Sequence, residues 1–352
     1  MLRFGAVRGG TPRPAHIIPV GHDGDVHHTL GRALDAVLDG VPADPLRRAT
    51  AVLIDAYRTG APPPAAVLRD PTTAAAYAAY RMPATHAAVS RALRHATDLA
   101  PDLDVRTVLD VGGGTGAASW AVAEAFLGLE RATVLDASTD ALALGARIGR
   151  HGPPPVAAAT WQQARLGSGL TLPGADLVVV SYVLGELAEP LHPPVVDAAV
   201  AAAAQLVLVV EPGTPRGYAA VLAARSRLTD AGWHILAPCP HDGECPVAAR
   251  AGDWCHFAVR LDRSALHRRV KGGRLGHEDE KFSYVMASRA PVASAGGRVL
   301  RHPVTRKGLV QLEVCDSAGS AQRVVVTRRD PIAYRAARDA SWGDTWSDPG
   351  LC

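Results

Sequence analysis

The chain has 352 residues, 48% of them hydrophobic and 20% charged, enough for two or three domains of ordinary soluble composition. No run of about 18 strongly apolar residues is present, which argues against a membrane-spanning helix, and the opening MLRFGAVRGGTPRP lacks the apolar core of a secretory leader. The net charge is only +3, yet 17 Lys/Arg stand against 7 Asp/Glu between His256 and Arg338, so the C-terminal third is basic and the remainder acidic.

Residues 1–28 read as a loose, Gly/Pro-rich N-terminus. Residues 29–99 read as a helical region. LGRALDAVLDG and PLRRATAVLIDAYRTG space apolar residues three and four apart and stop at Gly. APPP breaks the pattern, and TTAAAYAAYRM and PATHAAVSRALRHATDL read as two further helices.

The pattern changes at Pro101. RTVLDV, GGGTG and AASWAVAEAFLG read as strand, glycine loop and helix. RATVLDAS, ADLVVVSYVLGEL and QLVLVVEPG follow as strands, with helices between them. Such alternation predicts a mostly parallel, doubly wound sheet over residues 100–290. WHILAPC and KFSYVMASR read as its last strands, separated by an irregular cysteine-rich insert at 237–280. Residues 291–352 alternate like strands around a turn at DSAGS and read as a small basic β unit with a tail.

The glycine loop follows D-x-G-x-G-x-G at Asp110, Gly112, Gly114 and Gly116. Glycines let a backbone turn sharply and approach a ligand closely, and the helix beyond offers free N–H groups. Dinucleotide binders need G-x-G-x-x-G, but Ala117 stands where the last Gly would be. The tighter spacing, with Asp136 closing the next strand, fits S-adenosylmethionine, whose ribose hydroxyls an acid would receive. A structural turn in another α/β protein is the simpler alternative.

No catalytic residue is assigned. Where amino-group methyltransferases carry Asn/Asp-Pro-Pro-aromatic, this chain has Ser181-Tyr182-Val183-Leu184, and no nucleophilic Cys lies nearby. Glu186 and Glu211 lie near strand ends and read best as solvated or capping carboxylates.

Cys239, Cys245 and Cys255 sit among Pro, Gly and Asp, where a thiol does not serve as core. With Cys315 they make four thiolates, the number that usually holds an iron–sulfur cluster. Zinc is the rival, with His241 and His256 as further donors, although no C-x2-C pair is present. Cys352, the last residue, is expected to be a bystander. A reducing, cytoplasmic compartment is expected. The basic third suits a polyanion, most simply nucleic acid, or else an Arg-rich solvated surface.

LDVGGGTGAASWA, PCPHDGECP, WCHF, HEDEKFSYV and YRAARDASWGDTW together resemble the methyltransferase-like proteins of small-ribosomal-subunit assembly, a family of mitochondrial factors and bacterial relatives. The resemblance runs from about Leu30 to Trp346. It implies an α/β, Rossmann-like class I S-adenosylmethionine-dependent methyltransferase domain. It implies S-adenosylmethionine at the glycine loop and a [4Fe–4S] cluster on Cys239, Cys245, Cys255 and Cys315. It also implies small-subunit rRNA as partner, with rRNA methyl transfer or a purely assembling role as the two activities. A small-molecule methyltransferase with a zinc staple is the third alternative. A monomer in a bacterial-type cytoplasm, away from membranes, is expected.

Overall fold

The computed structural model describes residues 23–59, 70–271, 276–292 and 296–347; Cys352 lies outside the described residues. Four helices come first: α1 (Asp23–Leu38), α2 (Ala43–Thr59), α3 (Pro71–Tyr80) and α4 (Met82–Thr97). α1 therefore begins inside the stretch read as loose. The start of α3 is written locally. The Asp70 carboxylate accepts from the N–H groups of Thr72 and Thr73, the Thr73 hydroxyl accepts from Asp70 N–H, and Pro71 opens the first turn. Its buried face is Ala74, Ala75, Ala76, Ala78 and Ala79, small enough to let neighbouring helices approach.

The sheet domain runs β1 (Thr107–Val111), α5 (Ala117–Ala125), β2 (Arg131–Asp136), α6 (Thr139–Gly149), α7 (Pro154–Ala157), β3 (Thr160–Gln163), β4 (Ala175–Ser181), α8 (His192–Ala202), β5 (Ala203–Pro212), α9 (Pro215–Asp230), β6 (His234–Ala237), β7 (Phe257–Asp262), α10 (Ala265–Lys271) and β8 (His277–Ser288). The strand order is β3-β2-β1-β4-β5-β8-β6, with β7 also on β8. The pairs among β1 to β5 are parallel and β8 is antiparallel to β5, which is the Rossmann-like methyltransferase arrangement expected. β4 and β5 are nearly continuous runs of buried Val and Leu, as strands covered on both faces must be. The N-terminal helices with α5, α6 and α10 pack one face; α8 and α9 pack the other.

Three elements leave no readable mark in the sequence. β3 is four residues, TWQQ, mostly exposed at the sheet edge, and carries no apolar run. β7 and α10 stand inside the stretch read as an irregular insert. Phe282 of β8 pairs with Pro212 on one side and Phe257 on the other, so β7 shares with β6 the edge of β8 opposite β5. The cysteine loop is the excursion between these two strands.

A second sheet follows: β9 (Gly297–Val299), β10 (Val304–Arg306), β11 (Leu309–Asp316) and β12 (Ala321–Thr327), then α11 (Pro331–Asp339). Val299, Val310, Leu312, Val314 and Val326 bury one face against Ala333, Ala337 and Trp346. The other face meets the cysteine loop, where Val247, Leu300 and Cys315 pack with Cys245 and Cys255. Arg250 ties loop to sheet, pairing with Glu313 and donating to the Ala321 carbonyl at 2.6 Å.

Candidate functional site

The strand order reverses between β1 and β4, and a crevice at such a switch point is where open α/β sheets bind ligands. A cavity of about 480 Å³ opens there, lined by the glycine loop, Asp136, Tyr77, Tyr182, Val183 and Glu186 among others. Gly112, Gly114 and Gly116 have φ of 66°, 54° and 83°, left-handed values that residues with a Cβ resist. A Cβ on Gly112 would lie 2.5 Å from Val183, and one on Gly116 would lie 2.7 Å from Trp161. At Gly114 nothing stands nearer than 3.8 Å, so that Cβ would fill open cavity. The loop is thus packed at its two ends and open at its middle.

Asp136 closes β2 and borders the cavity. Its Oδ2 accepts from Gly114 N–H at 2.9 Å and its Oδ1 from Ser138 N–H at 2.7 Å, so the acid also holds the loop. Burial raises its pKa, and those two N–H groups oppose the rise. Asp110 does not line the cavity. It is fully buried behind the loop and receives Ser119 N–H and Oγ–H, both at 3.1 Å, anchoring α5 to β1. Burial pushes its pKa up to about 7. Gly112 and Gly114 border the cavity; Gly116 does not.

Glu211 is also fully buried and accepts from Leu184 N–H (2.8 Å) and Gly185 N–H (3.2 Å). It caps the turn after β4, the second of its two readings, and burial pushes it up to about 7. Glu186 instead borders the cavity.

Four participants had no signal in the sequence. Tyr77 of α3 reaches over the glycine loop, its ring edge facing Gly114. Tyr182 has φ 59°, a strained value for an aromatic residue, and its side chain is buried. Its hydroxyl donates to Glu280 Oε1 at 2.9 Å, and Arg81 grips the same carboxylate with both terminal nitrogens, at 3.2 and 3.1 Å. Arg81 also stands 5.0 Å from the Tyr182 ring centroid. Of these three, Tyr182 belongs to the segment that stands where the Asn/Asp-Pro-Pro-aromatic motif would be. Glu280 sits in HEDEKFSYV, and only the strand pairing brings it near Arg81, 199 residues away.

Cys245, Cys255 and Cys315 pack together around Val247 and Leu300, and Cys239, just after β6, packs against the core beneath α8 and α9. None is in a disulfide. Burial, then mutual repulsion with Cys239 and Cys245, holds the Cys255 thiol well above its ordinary pKa and pushes Cys315 up to about 12. Burial also raises Cys239, partly offset by Arg225. His241 Nε2 lies 3.5 Å from Cys315 Sγ, and the Tyr218 hydroxyl donates to Cys245 Sγ at 3.3 Å. His256 turns away, its Nδ1 bonded to the Trp254 carbonyl at 3.0 Å. Among the described residues no group of three or more His, Cys, Asp or Glu is already closed to metal-holding geometry, so the metal-binding character expected of the insert is not displayed by the fold itself. No helix among them is long and apolar enough to cross a membrane.

A family described as "Mitochondrial small ribosomal subunit Rsm22" matches the chain over residues 71–347. The "Ribosome assembly protein METTL17, mitochondrial" of Homo sapiens is 28% identical over 293 residues, covering 76% of this chain and 61% of that protein. The "Rsm22-cox11 tandem protein 2, mitochondrial" of Schizosaccharomyces pombe is 28% identical over 180 residues, covering 40% of this chain and 24% of that protein. The chain thus spans less than two thirds of either relative. Among solved structures, it is similar to magnesium protoporphyrin IX methyltransferase from Synechocystis with bound S-adenosylmethionine: 14% identity, TM-score 0.37, 74% of this chain and 97% of that one. A likeness that slight says nothing of what this chain binds. The family and both relatives are named as mitochondrial, which overturns the expectation of a bacterial-type cytoplasm.

Proposed function

Because the chain belongs to the mitochondrial small ribosomal subunit Rsm22 family, we propose that it is an S-adenosylmethionine-binding, iron–sulfur-containing protein that acts on small-subunit rRNA during ribosome assembly. The observation that carries the cofactor reading is the open middle of the glycine loop, where Gly114 and the Asp136 carboxylate border one cavity. The cofactor would bring an electrophilic methyl group; Asp136 would receive its ribose hydroxyls, and Tyr77 and Tyr182 would wall the side facing the acceptor. Calorimetric titration with S-adenosylmethionine tests this. Binding that disappears in Gly114→Arg supports the reading, and no binding by the wild-type protein overturns it.

Cys239, Cys245, Cys255 and Cys315 are the proposed ligands of a [4Fe–4S] cluster, which takes four thiolates; the packing of Cys245 and Cys255 with Cys315 supports this reading. About four iron and four sulfide per chain after anaerobic purification are expected. A single zinc would replace iron by zinc in this role and reopen the small-molecule alternative. Cys245→Ser should lose the metal and destabilise the second sheet, since metal-binding free energy there is folding free energy.

One observation favours a second reading, an assembly factor without methyl transfer. The Tyr182 hydroxyl is committed to Glu280, and Glu280 to Arg81, so the wall beside the acceptor position is closed by internal bonds. A ribosomal RNA methylation map unchanged by deletion of the gene, alongside an assembly defect, would decide for this reading.

A further inference from the structure

A second cavity, of about 410 Å³, lies on the opposite side of the molecule's C-terminal part, between α4, β9, α11 and the segment after it. His95 and Arg298 are its buried floor, 4% and 1% exposed. Arg298 spends Nε on the Pro238 carbonyl (2.9 Å) and Nη1 on the Gly343 carbonyl (2.8 Å), while Nη2 has no partner among the described residues. His95 Nδ1 is 2.7 Å from the Tyr284 hydroxyl, and its Nε2 has no partner among them either. Burial holds the Tyr284 phenol protonated, and it shares one hydrogen bond with His95 Nδ1. A buried guanidinium N–H on Arg298 and a buried imidazole nitrogen on His95 are therefore left without partners among the described residues, a costly state that native proteins avoid.

Gly343 stands beside both residues: its carbonyl takes the Arg298 Nη1 proton, and a Cβ on it would lie 3.1 Å from His95 Nε2. Three carboxylates also line the cavity, Asp98, Asp339 and Asp344, yet none bonds either unpartnered nitrogen. Asp98 and Asp339 are exposed at the rim, and Arg91 and Arg94, one turn apart on α4, stand above the floor. The floor therefore asks for an anionic oxygen, and the rim accepts hydroxyl donors. A phosphate carried on a hydroxylated sugar has both.

We infer that this cavity is a binding site for the phosphate group of a nucleotide unit, with Arg298, His95 and Arg91 as its donors. It is separate from the glycine-loop cavity and does not depend on S-adenosylmethionine binding. The phosphate has two possible sources, a free nucleotide or the backbone of an RNA, and one experiment separates them. The full-length protein is titrated with uridine 5′-monophosphate, inorganic phosphate and a short single-stranded RNA, each against chloride at equal ionic strength. The same titrations are run on Arg91→Gln and Arg298→Lys, with the circular dichroism spectrum and melting temperature of every preparation as the check on folding. Saturable uridine monophosphate binding, weakened about tenfold in Arg91→Gln while RNA affinity is unchanged, supports the site with a free nucleotide as its ligand. RNA affinity weakened by that factor and competed by inorganic phosphate supports it with RNA backbone as the ligand. If no phosphate compound binds above the chloride control, an ordered water satisfies the floor and the inference is wrong. It is equally wrong if binding is unaltered in Arg91→Gln, a half-buried position that can be changed even where Arg298→Lys does not fold.

Discussion

Two carboxylates show how much a single burial decides. Asp110 and Glu211 are both pushed up to about 7 in the fold, far above an unfolded carboxylate, because burial dominates and the N–H and O–H donors that receive them, with Arg216 near Glu211, offset only part of it. The native state therefore binds protons that the unfolded chain has already released. Stability contributed by these groups is full below pH 4 and declines as pH rises towards 7, on the order of 3–4 kcal/mol each if both ionise in place. Asp110→Asn should flatten the fall in melting temperature between about pH 4.5 and 7; an unchanged slope would mean the carboxylate is not the titrating group. The glycines separate in the same way. Gly112→Ala must both adopt a left-handed backbone and push Val183 aside, whereas Gly114→Ala meets only the backbone term, about 1 kcal/mol. Chemical denaturation should rank Gly112→Ala as the more damaging, and the reverse order would contradict the loop geometry described above.

At the scale of elements, the Arg81–Glu280–Tyr182 network joins three pieces that have little else in common: the α3–α4 corner, the end of β4 and the start of β8. Arg81 and Glu280 are 12% and 15% exposed, so solvent screens their pairing weakly. Glu280→Ala leaves the guanidinium without its bidentate carboxylate and should destabilise the protein by about 3 kcal/mol. Tyr182→Phe removes one hydrogen bond and should cost about 1 kcal/mol. A cost for Glu280→Ala no larger than that of Tyr182→Phe would show the Arg81–Glu280 pair to be solvated. The cysteine loop is the second join. It leaves β6 and returns as β7 along one edge of β8, so its thiols hang beside the second sheet and Arg250 fastens the two.

For the whole molecule, the basic third is less free than a count of its charges implies. Arg260 pairs with Asp279, Arg263 and Lys271 with Glu278, and Arg301 with Asp253, while Arg298 is buried. Among the described residues, many of the cations left facing solvent lie on the second sheet and around α11: Arg306, Lys307, Arg323, Arg328, Arg329, Arg335 and Arg338; Arg268 and Lys281 face solvent elsewhere. If this surface meets RNA, log affinity falls linearly with log salt, and Arg306→Glu with Lys307→Glu reduces the slope by about 0.7 for each single-strand phosphate that is no longer neutralised. A slope identical to wild type would remove the β10–β11 turn from the interface.

Local sequence is enough to read the alternation of strands and helices and the glycine loop with Asp136 one strand later. These are short-range matters: left-handed turns need Gly, and strands covered on both faces need continuous apolar residues. The cysteines differ from their local reading: set among Pro, Gly and Asp, Cys239, Cys245 and Cys255 nevertheless pack against the apolar cores once the chain folds. The short edge strand β3 escaped because a strand with one exposed face and four residues leaves no periodicity to read. It took the folded chain to show that Asp110 serves the loop from behind, that Tyr77 covers it, and that Arg81 meets Glu280. Folding also packs Cys315 with Cys245 and Cys255, and leaves Arg298 Nη2 and His95 Nε2 without partners among the described residues. Each of these joins residues distant along the chain, and their meeting depends on which strands pair and in what register, which no local pattern encodes.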